Sequence, residues 1–569
     1  MKRDSNGSAV LLWAALAVFV VWLALLGGGC CGENVGLFEW LNNFSAALET
    51  PFSIHITPYT KKFVLIALAF YGFAVAWYYS EKGNRRPGEE HGSAYWGRPK
   101  EVCAHFRTKK NDRYLLISKH IRISMNVRAL PPQHQVNANI LVIGGSGAGK
   151  TRFFIKPNLM QAECSYIVCD PKGETYRAVG GLLEKMGYEV TIFNLIDMKQ
   201  SDCYNPFAYL HTDIDAFRLI NTLIQNTTPQ KSQTSDPFWD KAETAFLSAL
   251  ILYLFHEAPE SERNFGTLMY MVINAEAREE DESYRSPVDL LFDDLERVDE
   301  DHIAVKNWKV FKQAGPKTAK SILVSASTRL AAFNTEEMAH LTSRDDLSLG
   351  TLGDRKRVIF AVIPDEDTTF NYLVGLMYSQ AFRELYHAAD NKYGGRLPVP
   401  VRVLMDEFAN VALPEDFERV LATCRSREIS INIVIQNMAQ LKKLFKDSWE
   451  NVTGNCDTLL YLGGNEASTH EYISKLLGKA TIDTRTRGVT KGRSGSSSTN
   501  YQNAGRELLM PDEVRMLDNR YCILFIRGAR PILDLKYELM EHPAIRYTMD
   551  GGAPPYIHHG TAAPALTGD

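Results

Sequence analysis

Asn139-Ile140-Leu141-Val142-Ile143 runs directly into Gly144-Gly145-Ser146-Gly147-Ala148-Gly149-Lys150-Thr151. The apolar stretch predicts a strand buried on both faces, the octapeptide fits G-x-x-x-x-G-K-[ST], and Arg152-Phe153-Phe154-Ile155 opens a helix. Strand, glycine turn and helix in that order form a cradle of backbone N–H groups from Gly144, Gly145, Ser146, Gly147, Ala148 and Gly149 for phosphate oxygens. Lys150 then reaches the β- and γ-phosphates of ATP, and the Thr151 hydroxyl becomes a ligand for Mg²⁺.

Outward from this loop the same strand pattern recurs. Tyr166–Cys169, Val190–Phe193, Val358–Ile363, Val401–Met405, Ile431–Ile435, Thr458–Tyr461 and Cys522–Ile526 are short, continuously apolar runs that end at Gly, Asp, Pro or polar residues. Such runs suit a parallel sheet covered on both faces, and the helical stretches between them make the class α/β with right-handed crossovers. Val401–Met405 delivers Asp406 and Glu407 to the carboxyl end of its strand, where ligands of open α/β sheets bind. Asp406 is the candidate second Mg²⁺ ligand and Glu407 the candidate general base for the attacking water. An Asp-Glu pair after a strand also caps helices, so the glycine loop in the same chain is what favours the catalytic reading. Gln436, after the next strand, either senses the γ-phosphate or bonds the strand end. Between them lie Arg425 and Arg427.

Two other stretches predict membrane helices. Residues 9–26 and 63–79 carry no charge, and each comes close to the length that crosses a bilayer as a helix. Trp77, Tyr78 and Tyr79 close the second span with rings suited to the interface. Lys2 and Arg3 precede the first span, and Lys82, Arg85, Arg86, Arg98 and Lys100 follow the second, so positive-inside counting puts both termini in the cytoplasm. The competing reading is a signal peptide cleaved near Gly27-Gly28-Gly29.

The full chain has 569 residues with 63 Lys+Arg and 67 Asp+Glu, a near balance that excludes a polybasic nucleic-acid binder. Its nine cysteines include no CxxC pair, which excludes a disulfide scaffold and a structural zinc module. From 205 to 345 the α/β rhythm stops and helices follow one another, beginning at Asp236-Pro237. The expected division is a membrane anchor (1–80), a nucleotide-binding domain in two parts (81–204 and 346–548), an inserted all-α domain (205–345) and a disordered tail (549–569). Within the insert, 278–302 holds 11 acidic residues, including Asp293-Asp294 and Asp299-Glu300-Asp301; this is either a solvated face or a docking surface for basic partners. Residues 482–505, with Arg485, Arg487, Lys491 and Arg493 among Ser, Thr, Gly and Asn, read as a flexible basic loop.

Further motifs narrow the class: His91-Gly92-Ser93-Ala94, Asp170-Pro171-Lys172-Gly173-Glu174, Tyr204-Asn205-Pro206-Phe207, Phe238-Trp239, Gly463-Gly464-Asn465, Tyr472–Gly478 and Leu509–Val514. Together with the spans and the glycine loop, they make the chain resemble the type IV coupling protein family, the TraG/TraD-type ATPases of bacterial conjugation and type IV secretion. The resemblance implies a RecA-like P-loop motor, a homo-oligomer forming a hexameric ring in the inner membrane. Its cargo would be relaxase-bound single-stranded DNA or protein effectors, handed to type IV secretion channel components. It also implies Walker and sensor roles for Lys150, Thr151, Asp406, Glu407 and Gln436. Arg425, 19 residues after Asp406, falls where the family's trans-acting arginine lies. The short loop between the spans and the brief C-terminal end are departures from the family, and they leave recognition to the helical insert. Two other readings are a double-strand DNA pump of the related hexameric type and a membrane scaffold that binds nucleotide without turnover. The first expects a C-terminal winged-helix reader, and the second has no need of Lys150, Asp406 and Glu407.

Overall fold

Each apolar run named above becomes a strand because its β-branched residues can be covered on both sides of one sheet. The computed structural model describes residues 5–81, 89–108, 113–227, 237–278, 284–364, 369–411, 413–414, 416–490 and 496–558. Its strands are β1 (Tyr114–Leu116), β2 (Arg122–Ser124), β3 (Ile140–Ile143), β4 (Ser165–Pro171), β5 (Glu189–Asn194), β6 (Arg357–Ile363), β7 (Val401–Met405), β8 (Ile429–Ile435), β9 (Thr458–Tyr461), β10 (Lys479–Thr490), β11 (Ser496–Glu507), β12 (Tyr521–Ile526) and β13 (Ile532–Leu535). Nine of them form one sheet in the order β13-β12-β9-β3-β8-β7-β4-β6-β5.

From β9 to β5 all neighbours are parallel, but β12 runs antiparallel to β9 and β13 antiparallel to β12. The sheet is therefore mixed and not wholly parallel. A fully apolar run encodes burial on both faces but not direction, and the short link from β12 to β13 permits only a hairpin. β13 consequently runs with β3 and ends at the same edge of the sheet.

The pleat divides the core. Leu141 and Ile143 of β3 face one apolar cluster, while Ile140 and Val142 face another on the opposite side. The first cluster continues without a break into Phe246, Leu250, Phe292 and Trp308, in helices lying between β5 and β6. Every described element of that stretch is helical, and it forms one compact unit with the sheet: 92–480 with 505–569. The other unit is 1–91 with 481–504.

In the N-terminal unit, α1 (Ser5–Gly29) and α3 (Thr60–Glu81) extend beyond the expected spans, and α2 (Leu37–Glu49) occupies the loop between them. The segments Leu11–Gly29 and Thr60–Ser80 are long and apolar enough to cross a membrane. The two helices touch where the Tyr71 hydroxyl donates to the Trp13 carbonyl (2.6 Å) and where Trp13 meets Tyr78 edge to face at 5.1 Å. Of the residues on which the orientation reading rests, Lys2, Arg3, Lys82, Arg85 and Arg86 lie outside the described residues, while Arg98 and Lys100 are described; Asp236 also lies outside them.

Two expectations need correction. Residues 482–505 fall largely in β10 and β11, a two-stranded sheet, and not in a loop; Lys491 and Arg493 lie outside the described residues. Thr481, Thr484 and Thr486 carry β-propensity that the surrounding Ser and Gly masked. The tail is placed through His558: the Tyr556 N–H donates to the Arg177 carbonyl (2.9 Å) and His558 meets Asp202 at 3.0 Å. Residues 559–569 lie outside the described residues.

Candidate functional site

The glycine loop follows β3 at the carboxyl edge of the sheet, with β8 and β9 on either side of that strand. Both neighbours hold it: the Gly144 N–H donates to the Ile435 carbonyl (3.0 Å) and the Gly145 N–H to the Gly463 carbonyl (2.8 Å). Gly463-Gly464-Asn465 thus supplies the backbone against which the loop packs. Gly147 and Gly149 adopt φ of +76° and +84°, and a Cβ on Gly149 would collide with the Phe153 ring. Beyond the loop, Thr151–Ile155 forms a wide π-type turn before the helix Lys156–Met160, where Pro157 has no N–H to donate.

The strand ends bring the acids to the same place. Asp406 and Glu407 follow β7, and Gln436 follows β8. The Thr151 hydroxyl donates to Asp406 Oδ2 at 2.7 Å. Lys150 Nζ lies 3.7 Å from Glu407 Oε1, and Gln436 Nε2 donates to both Glu407 oxygens at 3.2 and 3.0 Å. Lys150 and Asp406 are buried. Glu407 holds a left-handed φ of +51°, a strained conformation for a residue with a side chain, and it turns the carboxylate toward Lys150 and Gln436. Burial pushes the Asp406 carboxyl above the usual range; the Thr151 hydrogen bond opposes this and the Glu407 charge reinforces it. A hydroxyl beside a carboxylate is a hard-oxygen donor pair, the kind Mg²⁺ prefers, so Thr151 and Asp406 fit that ion.

Arg425 is not part of this group. It lies in the turn Cys424–Arg427 before β8, whereas Gln436 follows the same strand; seven residues at about 3.3 Å each separate the two ends. There it lines a cavity of about 740 Å³ with Arg113, Arg128, Arg396 and Glu428.

Several motifs prove to be scaffolding. Asp170 accepts the Thr175 and Tyr176 N–H groups (3.0 and 2.7 Å) and so caps the helix Glu174–Lys185. The Tyr204 hydroxyl donates to Gln380 Oε1 (2.6 Å), and Glu513 accepts the Met510 N–H (2.8 Å). The acidic stretch is crossed by its own cations: Asp294–Arg297, Glu296–Lys309 and Asp301–Lys306 meet at 2.7, 2.8 and 3.0 Å. Glu279, Glu280, Asp281 and Glu282 lie outside the described residues. One residue beside the loop escaped the sequence reading: Lys536, immediately after β13, donates to the Ala148 carbonyl at 3.0 Å.

The chain is similar to known proteins in sequence and in fold. The chain is 23% identical over 410 residues to protein VirD4 of Rhizobium radiobacter, covering 69% of this chain and 55% of that protein. It is 23% identical over 479 residues to the conjugal transfer protein TraG of Escherichia coli, covering 78% and 73%. The chain thus spans little more than half the length of the VirD4 relatives. Its fold is similar to that of the bacterial conjugative coupling protein TrwB. For the unbound form the TM-score is 0.54 at 15% identity, covering 83% of this chain and 100% of that one. For TrwB in complex with the ATP analogue ADPNP the values are 0.55 and 14%, covering 80% and 96%. Residues 89–538, most of the chain, match the family described as type IV secretory system conjugative DNA transfer, and the protein belongs to that family.

Proposed function

We propose that this protein is a membrane-anchored ATPase, the coupling protein of a conjugative type IV secretion system. The observation that carries the reading is the continuous contact set Thr151–Asp406 and Lys150–Glu407–Gln436 at the carboxyl edge of the sheet. Support comes from family membership and from TrwB, whose solved complexes include ADPNP and ADP with Mg²⁺.

In this reading the sheet is a RecA-like P-loop domain, and the helices of 205–345 are its insert, the part that meets cargo. The loop 144–149 cradles the triphosphate, and Lys150 neutralises charge on its terminal phosphates. Thr151 and Asp406 hold Mg²⁺, which when bound offsets negative charge on the phosphate oxygens. Glu407 takes the proton of the attacking water, and the Gln436 amide fixes the orientation of that carboxylate. Arg425 reaches the nucleotide of the next subunit in a hexameric ring, which is why it lies away from this chain's own loop. The two apolar helices anchor the chain in the inner membrane with both termini in the cytoplasm. Hydrolysis drives relaxase-bound single-stranded DNA, or protein effectors, toward the channel components.

The test is ATP turnover by the purified full chain in detergent, with and without single-stranded DNA, beside Lys150→Ala and Glu407→Gln. Wild type is expected to hydrolyse ATP faster with DNA. Glu407→Gln should keep nucleotide binding while losing at least about a hundredfold in kcat, the scale of a general base. Equal turnover in wild type and Lys150→Ala would remove the motor reading.

A further inference from the structure

One peptide of the loop is held from outside by a side chain. Among the described residues no backbone carbonyl accepts the Gly149 N–H, so this donor is available to a ligand. The preceding carbonyl, that of Ala148, receives Lys536 Nζ at 3.0 Å. In a trans peptide the C=O and the following N–H point in opposite directions. Fixing the Ala148 oxygen on the Lys536 side therefore aims the Gly149 N–H away from Lys536.

Lys536 is itself held in place. It is 6% exposed, Nζ donates also to Asn519 Oδ1 (2.7 Å), and it lies 5.2 Å from the centre of the Phe153 ring. Burial pulls its pKa down to about 8, so at neutral pH the ammonium is still mostly charged. Neighbouring pairs fasten the same C-terminal stretch to the helix that follows the loop: Arg152–Glu538 at 3.0 Å and Lys156–Asp550 at 2.7 Å. A buried ammonium on a carbonyl of this loop does more than fill space, because Met of similar length would pack against Phe153 without desolvating a charge.

We propose that Lys536 is a positioning residue for nucleotide binding: its ammonium sets the Ala148–Gly149 peptide so that the Gly149 N–H faces the bound phosphates. This deepens the ATP-binding reading given above and rests on it.

The experiment uses the full chain in detergent as wild type, Lys536→Met, Lys536→Arg, Lys536→Gln and Lys150→Ala. Each is titrated with N-methylanthraniloyl-ATP and Mg²⁺, assayed for steady-state hydrolysis, and melted without nucleotide. Loss of a hydrogen bond from a charged donor predicts that Lys536→Met raises the Kd of the probe and the KM about tenfold, with kcat within about threefold of wild type. Lys536→Arg, which keeps a charged donor, is expected to restore KM to within about threefold. An unchanged KM in Lys536→Met overturns the proposal, as does an equal rise in the Met and Arg variants, which would mark a purely steric role. If Lys536→Met melts early, Lys536→Gln decides the matter, since it keeps a polar side chain there but removes the ammonium; a raised KM supports the proposal and an unchanged one overturns it. If Lys150→Ala binds the probe as wild type does, the phosphate-loop reading falls. If Lys150→Ala loses binding while Lys536→Met keeps it, only the role of Lys536 falls.

Discussion

Asp170 is a carboxyl that the fold holds in unfavourable surroundings: 1% exposed, with burial pushing its pKa up to about 6. The N–H donors of Tyr176 and Thr175 pull the other way, and the charge of Asp406 adds to the rise. Because the folded pKa lies above the unfolded one near 3.8, the folded state binds the proton more tightly across the window between them. The stability this group contributes is therefore present below about pH 4 and is lost as pH rises to about 6. Asp170→Asn should flatten the melting temperature's dependence on pH across that window. Calorimetry on the paired proteins checks it, and parallel profiles would mean that Asp170 does not titrate there. At this scale the sequence was informative wherever chemistry demands fixed spacing: Lys150 and Thr151 are neighbours, and Asp406 must end a strand. It was silent on Lys536, which meets Ala148 across 388 positions with no local pattern to announce it. The left-handed turn at Glu407 was equally hidden, since nothing about a glutamate signals positive φ.

Among the elements, the helices between β5 and β6 are joined by a buried ion pair. Glu243, 3% exposed on the helix Pro237–Glu257, accepts Arg329 Nε at 2.6 Å and the Ser325 hydroxyl at 2.8 Å. Arg329 Nη1 donates to the Ile224 carbonyl (3.1 Å) and the Thr227 hydroxyl (2.6 Å), so three helices meet at one guanidinium. Removing the acid alone strands that charge away from water, and Glu243→Ala is expected to destabilise the unit by about 3–5 kcal/mol. Asp294→Ala breaks the Asp294–Arg297 pair, whose side chains are 71% and 77% exposed, and should change stability by no more than about 0.5 kcal/mol. Denaturant titration of both variants tests the contrast, and similar midpoints would refute it. The apolar strands were legible because burial on both faces leaves a continuous hydrophobic run. β10 and β11 were not, because strands rich in Thr, Ser and Asn share the composition of loops.

For the molecule as a whole, strand order and direction depend on contacts between distant segments, and so the antiparallel β12 lay beyond a reading of periodicity. The membrane topology is different, because it rests on local composition, and the chain carries its own probes for it. Cys30 and Cys31 follow α1 directly and are half-buried, and Cys103, also half-buried, comes after both apolar helices; the remaining cysteines are buried. With both termini in the cytoplasm, a membrane-impermeant maleimide applied to intact spheroplasts should label the wild type, and Cys30→Ser with Cys31→Ser should abolish the signal. Lysis should then expose Cys103 and restore labelling in that double variant. A thiol accessible outside at Cys103 would instead put the sheet and its glycine loop on the far side of the membrane from cytoplasmic ATP. That result would be incompatible with a nucleotide-driven motor, however well the side chains around Asp406 and Glu407 are arranged.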